Sequence, residues 1–140
     1  MPTRKIEDKE LLNCVAFILT KQKAFLAEKR AENKILGAGF ITIPGGHINK
    51  NETMEQALIR EITEELCIIP KKYEFLCKKI SEHQTGKRLV HYFIVKEWKG
   101  QPEPKEAEEL FWIKLAENKK LNLEIDREAI QEYLEQKPIT

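Results

Sequence analysis

Cysteine is scarce in this chain and poorly spaced for chemistry. Three cysteines, Cys14, Cys67 and Cys77, occur in 140 residues. The odd number and the lack of any CxxC pair exclude a disulfide framework and the usual zinc or redox spacings. Two of them sit in apolar runs, so they read as buried free thiols of a reducing compartment, and a cytoplasmic location is expected. Long apolar runs are missing too. The longest, Cys14 to Leu19, is too short to cross a bilayer, and Met1 to Glu10 is polar and charged, so the reading is a soluble protein with no membrane partner. Charge of one sign is also lacking: 24 Lys and Arg stand against 23 Asp and Glu, a formal charge of +1. No general nucleic-acid binding is expected, and any phosphate binding has to be local. Internal repeats and low-complexity tracts are absent as well. A chain of this length is expected to form one domain over 1–140, able to bury a core without staples, with residues 1–10 as a flexible charged arm.

Glycine and proline are absent from Thr53 to Leu66, where good helix formers dominate, so that stretch reads as a helix. At about 100° per residue, Glu61, Glu64 and Glu65 fall within one arc roughly 100° wide, and Leu58, Ile59, Ile62 and Leu66 occupy the neighbouring arc. The apolar arc is expected to press onto the protein and the acids to line the mouth of a groove. Three carboxylates held close repel one another until a proton or a cation relieves them. Oxygen-only ligands select a hard cation, Mg2+ with Mn2+ as a substitute, because Mg2+ keeps several waters and is commonly shared between carboxylates and substrate phosphates. On the glutamates alone, in a chain that is 34% charged, a solvated helix face is the simpler explanation.

Around that helix, Leu11 to Leu19 and Ala24 to Lys29 read as a hairpin joined by the polar turn Thr20 to Lys23, with Arg30 at its far end before the loop Ala31 to Lys34. By position, Arg30 is a strand-end cation. Phe40 to Ile43 is a short strand running into Pro44-Gly45-Gly46, whose glycines let backbone approach a ligand closely. His47 reads as an exposed loop residue, and Asn51 as one that tolerates a left-handed backbone. Tyr73 to Ser81 and Leu89 to Trp98 form a second hairpin around Gln84-Thr85-Gly86-Lys87. Its aromatics, Tyr73, Phe75, Tyr92 and Phe93, read as core or sheet-face residues, and His83 and His91 lack metal-ligand spacing. Leu110 to Ile113 is a short strand, and Asp126 can N-cap a final helix with the stripe Ile130, Tyr133 and Leu134. The order ββ, β, helix, ββ, β, helix predicts an α/β protein of the α+β type, a mixed sheet with helices packed against it.

One set of positions goes further than pattern. Gly46, Glu52, Arg60, Glu61, Ile62, Glu64, Glu65 and Ile68 together resemble the Nudix box. The match departs at Cys67, where the family usually has glycine; a left-handed residue there costs roughly 1 kcal/mol without it, and Pro70 can still stop the helix. The resemblance implies an α/β/α sandwich over about Leu11 to Leu134. It further implies that Glu61, Glu64 and Glu65 hold metal with the Gly45 carbonyl, and that Arg60 pairs with Glu52 to brace the loop bearing Gly46 against the helix. A second segment, Glu97-Trp98-Lys99-Gly100-Gln101-Pro102, is similar to that of MutT-type members, in which an acid past the proline reaches back to the metal. Glu106 matches that acid. It lies in a run of acids, Glu103, Glu106, Glu108 and Glu109, that solvation alone could explain.

What the resemblance implies chemically is metal-assisted attack of water on a nucleoside diphosphate linked to some moiety X, with Glu64 or Glu106 taking the proton. The MutT-like features favour a nucleoside triphosphate, oxidised or not, cut to monophosphate and pyrophosphate. In that setting Arg30 and Gly46 would hold substrate, and Asp126, besides its capping reading, would meet the edge of the base. The proline of ADP-ribose hydrolases and the tyrosine of dinucleoside polyphosphate hydrolases are both missing from His83 to Thr85. RNA 5′ pyrophosphate is a further alternative, and monomer and homodimer are both open. A non-catalytic, nucleotide-binding regulatory module is the alternative of a different class; such modules typically have eroded box acids, and here every acid is present.

Overall fold

The computed structural model of the protein describes residues 11–33, 37–83 and 86–136. The charged arm 1–10, the loop residue Lys34 and the turn residues Gln84 and Thr85 lie outside that description. Seven strands, β1 (Leu11–Lys21), β2 (Ala24–Lys29), β3 (Ile41–Thr42), β4 (Gly45–His47), β5 (Ile69–His83), β6 (Gly86–Lys99) and β7 (Glu109–Lys114), are joined by helix α1 (Met54–Leu66) between β4 and β5. A 3-10 stretch (Leu115–Lys120) and helix α2 (Glu124–Gln136) follow β7.

β1 is the spine. It pairs in parallel with β6, from Leu11 opposite Lys87 to Leu19 opposite Val95, and antiparallel with β4, from Cys14 opposite His47 to Ala16 opposite Gly45. β5 closes the far side of β6, while the end of β1 reaches β2, which carries β3 and β7. Because β1 is buried on both faces, its sequence is a continuous apolar run, and neighbouring residues serve opposite layers. Val15, Phe17 and Leu19 pack with Phe93 and Val95 against Ala57, Leu58, Ile62 and Leu66 of α1. Cys14, Ala16 and Ile18 pack with Tyr92 and Ile94 against Ala129 and Ile130 of α2. The result is a mixed sheet with one helix on each face, an α/β/α sandwich. No helix of the described residues is long and apolar enough to cross a membrane.

Local chemistry accounts for the ends of α1. Thr53 caps it: its side chain accepts from the Gln56 N–H, and the Gln56 side chain accepts in return from the Thr53 N–H, a reciprocal capping box. At the exit Cys67 takes φ 60 and ψ 32, and its N–H donates to the Thr63 carbonyl at 3.0 Å. The helix therefore turns out through a left-handed residue although that residue is not glycine. Several expectations change. Gly45–His47 is a strand, and Pro70 lies within β5 opposite Trp98. The register shifts beside Pro70, and β5 is an edge strand, where a residue without an N–H donor is tolerated. Asp126 is not the N-cap of the last helix. That helix starts at Glu124, and the Asp126 carboxylate turns inward, where buried donors from β6 and from the link between β3 and β4 claim it.

Candidate active site

The glycines of β4 put backbone directly beneath a glutamate of α1. A Cβ on Gly46 would stand 2.1 Å from the Glu61 carboxyl carbon, and one on Gly45 would stand 2.3 Å from the Val15 carbonyl oxygen. Gly45 admits no side chain, and one at Gly46 would have to displace the Glu61 carboxylate. Arg60 fixes the surroundings. Its Nε donates to Glu52 Oε2 at 2.6 Å, its Nη2 to Glu52 Oε1 and to the His47 carbonyl, both at 2.9 Å, and its Nη1 to Glu61 Oε2 at 3.0 Å and Glu64 Oε1 at 3.1 Å. Glu52 also accepts from the Asn49 N–H at 2.8 Å, and Asn51 takes φ 69 to close that turn. One guanidinium thus ties the loop to the helix and to two of its acids.

The electrostatics follow from those contacts. Hydrogen bonding to Arg60 holds the Glu52 carboxyl at about 2. Glu61 is only 8% exposed; burial pushes its carboxyl above the ordinary range, Arg60 pulls it back, and Glu64 raises it again. A buried carboxylate raised by desolvation, with a like charge near it, is the condition that a bound cation relieves.

A cavity of about 690 Å³ opens over β4 and runs between α1, β2, β3, β6 and the start of α2. It brings together Gly45, Gly46, Glu61, Glu65, Glu106, Arg30 and Asp126. Arg60 and Glu64 stand behind that wall: the Glu64 side chain is 57% exposed and is turned to Arg60. The three glutamates therefore do not converge as one open arc. Glu61 is inside, Glu65 lines the cavity and Glu64 lies outside, because Arg60 draws Glu64 toward itself. Among the described residues no three His, Cys, Asp or Glu side chains form a complete cage for an ion. What the cavity offers is oxygen: Glu61, Glu65, Glu106 and the backbone of β4. That donor set fits a hard divalent cation that completes its shell with water and substrate oxygens. Glu106 differs from the acids around it, since the Glu108 carboxylate pairs with Lys29 at 3.2 Å and neither it nor Glu103 lines the cavity.

The cavity floor was not legible in advance. Tyr92, read as a core aromatic, donates its hydroxyl hydrogen to Asp126 Oδ1 at 2.6 Å, and the Ile43 N–H donates to Asp126 Oδ2 at 3.0 Å. Asp126 is 3% exposed, and burial pushes its carboxyl up to about 6 despite those two hydrogen bonds. Ser81, Arg88 and the buried Glu28 also line the cavity. Their signal was the two-residue alternation: Arg88, Val90 and Tyr92 share one face of β6.

Comparison with known proteins gives one answer at three levels. The family model "NUDIX domain" matches residues 11–133. An 8-oxo-dGTP diphosphatase of Haemophilus influenzae is 32% identical over 108 residues, 76% of this chain and 78% of the relative. The 8-oxo-dGTP diphosphatase of Escherichia coli is 30% identical over 107 residues, 76% of this chain and 82% of the relative. Among solved structures, a MutT NUDIX hydrolase from Burkholderia pseudomallei superposes with a TM-score of 0.77 at 24% identity, covering 87% of this chain and 97% of that one, which supports the fold.

Proposed function

The chain belongs to the Nudix family, and on that premise we propose that it is a Mg2+-dependent hydrolase of nucleoside diphosphates linked to a moiety X. We infer that its substrate is a nucleoside triphosphate, plain or oxidised, cut to the monophosphate and pyrophosphate. One observation supports the reading: a single cavity is lined by Glu61, Glu65 and Glu106 together with Arg30 and Asp126. The relatives named 8-oxo-dGTP diphosphatase, each about four-fifths covered, point the same way.

A divalent cation bound by Glu61, Glu65 and Glu106 with the Gly45 carbonyl, and by Glu64 once it is released from Arg60, would neutralise charge on the phosphoryl oxygens and lower the pKa of an attacking water. The chain's own groups supply the rest. Arg60 holds Glu61 in place and locks the Gly46 loop beneath it, a supporting role. Glu106 faces the cavity and is placed to take the proton of the water as the anhydride P–O bond breaks and the electron pair leaves on the departing phosphate oxygen. Glu64 would first have to leave Arg60. Arg30 attracts the phosphates, and the inward Asp126 carboxylate meets the edge of the base.

The test is a panel. The protein and Mg2+ are incubated with ordinary and 8-oxo nucleoside triphosphates, ADP-ribose, dinucleoside polyphosphates and RNA bearing a 5′ pyrophosphate, and products are separated by chromatography. Monophosphate and pyrophosphate from a triphosphate are expected to dominate. Binding without turnover across the panel would instead assign the fold to a regulatory module.

A further inference from the structure

The cavity carries a cation that the reaction leaves unused. Arg88 is half-buried on β6, opposite Leu12 of β1 and Ser81 of β5. Alternation along a strand sets Arg88 and Tyr92 on one face, about 13 Å apart between α-carbons, and both line the cavity. Because Tyr92 is bonded to Asp126, the Asp126 carboxylate stands at the Tyr92 end of this strand face and Arg88 at the other. Burial raises the Cys14 thiol of the same lining, the Arg88 charge pulls it back and Glu61 raises it again, so the guanidinium acts within the cavity.

Asp126 and Arg88 offer opposite chemistry to whatever lies between them. An ionised carboxylate only accepts, and after Tyr92 and Ile43 each Asp126 oxygen keeps lone-pair capacity. A guanidinium only donates. A ring with donors on one edge and acceptors on the adjoining edge satisfies both. Guanine presents N1–H and its 2-amino group on one edge, then O6 and N7 around the corner, where arginine pairs best. The 8-oxo form keeps N1–H, the 2-amino group and O6. Adenine carries an amino group in place of O6 and a bare N1, so it would set donor against Arg88 and acceptor against Asp126.

We propose that Arg88 is a base-specificity residue that reads the 6-oxo group of a guanine-type base while Asp126 takes the N1 and 2-amino edge, so that the site selects 6-oxopurine over 6-aminopurine nucleotides. The inference rests on the hydrolase reading, which sets the phosphates beside Glu61 and the base beside Asp126.

Three proteins decide it: the wild type, Arg88→Met, which keeps an apolar stem, and Arg88→Lys, which keeps the charge and guards against a folding defect. kcat/KM is measured for dGTP and dATP, and Kd for dGMP and dAMP. The wild type is expected to favour dGTP by at least tenfold. Arg88→Met should lower the efficiency on dGTP by about 10- to 100-fold through KM, leave dATP nearly unchanged and so collapse the ratio, with Arg88→Lys in between. An unchanged ratio in Arg88→Met, or equal losses on both nucleotides as a phosphate contact would give, overturns the proposal. If the wild type hydrolyses neither nucleotide, the reading of plain triphosphates as substrates fails by itself. The same comparison of dGMP with dAMP binding then decides Arg88, and equal Kd values in wild type and Arg88→Met overturn it.

Discussion

Replacing Asp126 by Asn separates a pH effect on stability from a role in base binding. Burial raises the Asp126 carboxyl from 3.8 to about 6, against the opposing pull of Tyr92, the Ile43 N–H and Arg127. The folded protein therefore holds that proton more tightly than the unfolded chain does. The stability this confers is fully present below the unfolded pKa of about 3.8 and is lost as pH rises through about 6. The whole interval corresponds to roughly 3 kcal/mol, of which about 2 kcal/mol falls between about pH 4.5 and about pH 7. Asn does not titrate, keeps an acceptor for the Ile43 N–H and can donate its amide hydrogen to the Tyr92 oxygen. The stability of Asp126→Asn relative to wild type should thus move in favour of the variant by about 2 kcal/mol across that window, read by urea unfolding at a series of pH values. A difference that stays flat would refute the reasoning, because it would mean the carboxylate titrates alike in both states. Asp126→Ala, which removes the acceptor, should also compress the ratio of kcat/KM between the best and worst nucleotides.

Three further substitutions probe the frame of the site. Gly46→Ala should cut turnover at least tenfold, since the new Cβ lands on the Glu61 carboxyl and small misplacements of a catalytic group are costly; steady-state kinetics check this. Cys67→Gly should raise stability by about 1 kcal/mol by relieving the left-handed φ of 60, visible as a Tm rise of about 2–4 °C. Glu106→Gln should slow turnover more than Glu103→Gln or Glu108→Gln, because only Glu106 of the three lines the cavity; equal effects would reduce it to a solvated acid.

What could be read from sequence was whatever is periodic or local. Thr53 to Leu66 announced a helix through the absence of Gly and Pro, and its acids and apolar residues separated by angle alone. Angle says nothing of partners, however. Arg60 captures Glu64 and the sheet buries Glu61, so two neighbouring acids of one arc end in different surroundings. Asp126 looked like a cap because caps are recognised from the few residues around them, whereas its actual partners, Ile43 and Tyr92, are 83 and 34 positions away. The parallel pairing of β1 with β6, which turns Cys14, Val90 and Tyr92 into one cavity wall, is likewise a long-range event that hydrophobic patterning leaves open. Gly45-Gly46 was legible as a close approach of backbone, but the atoms approached, the Val15 carbonyl and the Glu61 carboxylate, were not.

The most direct measurement is the Mg2+ dependence of nucleotide hydrolysis in the wild type and in Glu64→Gln and Glu65→Gln. Turnover is predicted to rise saturably with Mg2+, to persist with Mn2+, and to fall to background in EDTA. Each Gln variant should lose orders of magnitude in kcat while keeping its circular dichroism spectrum and unfolding transition. Hydrolysis undiminished in EDTA would contradict the account.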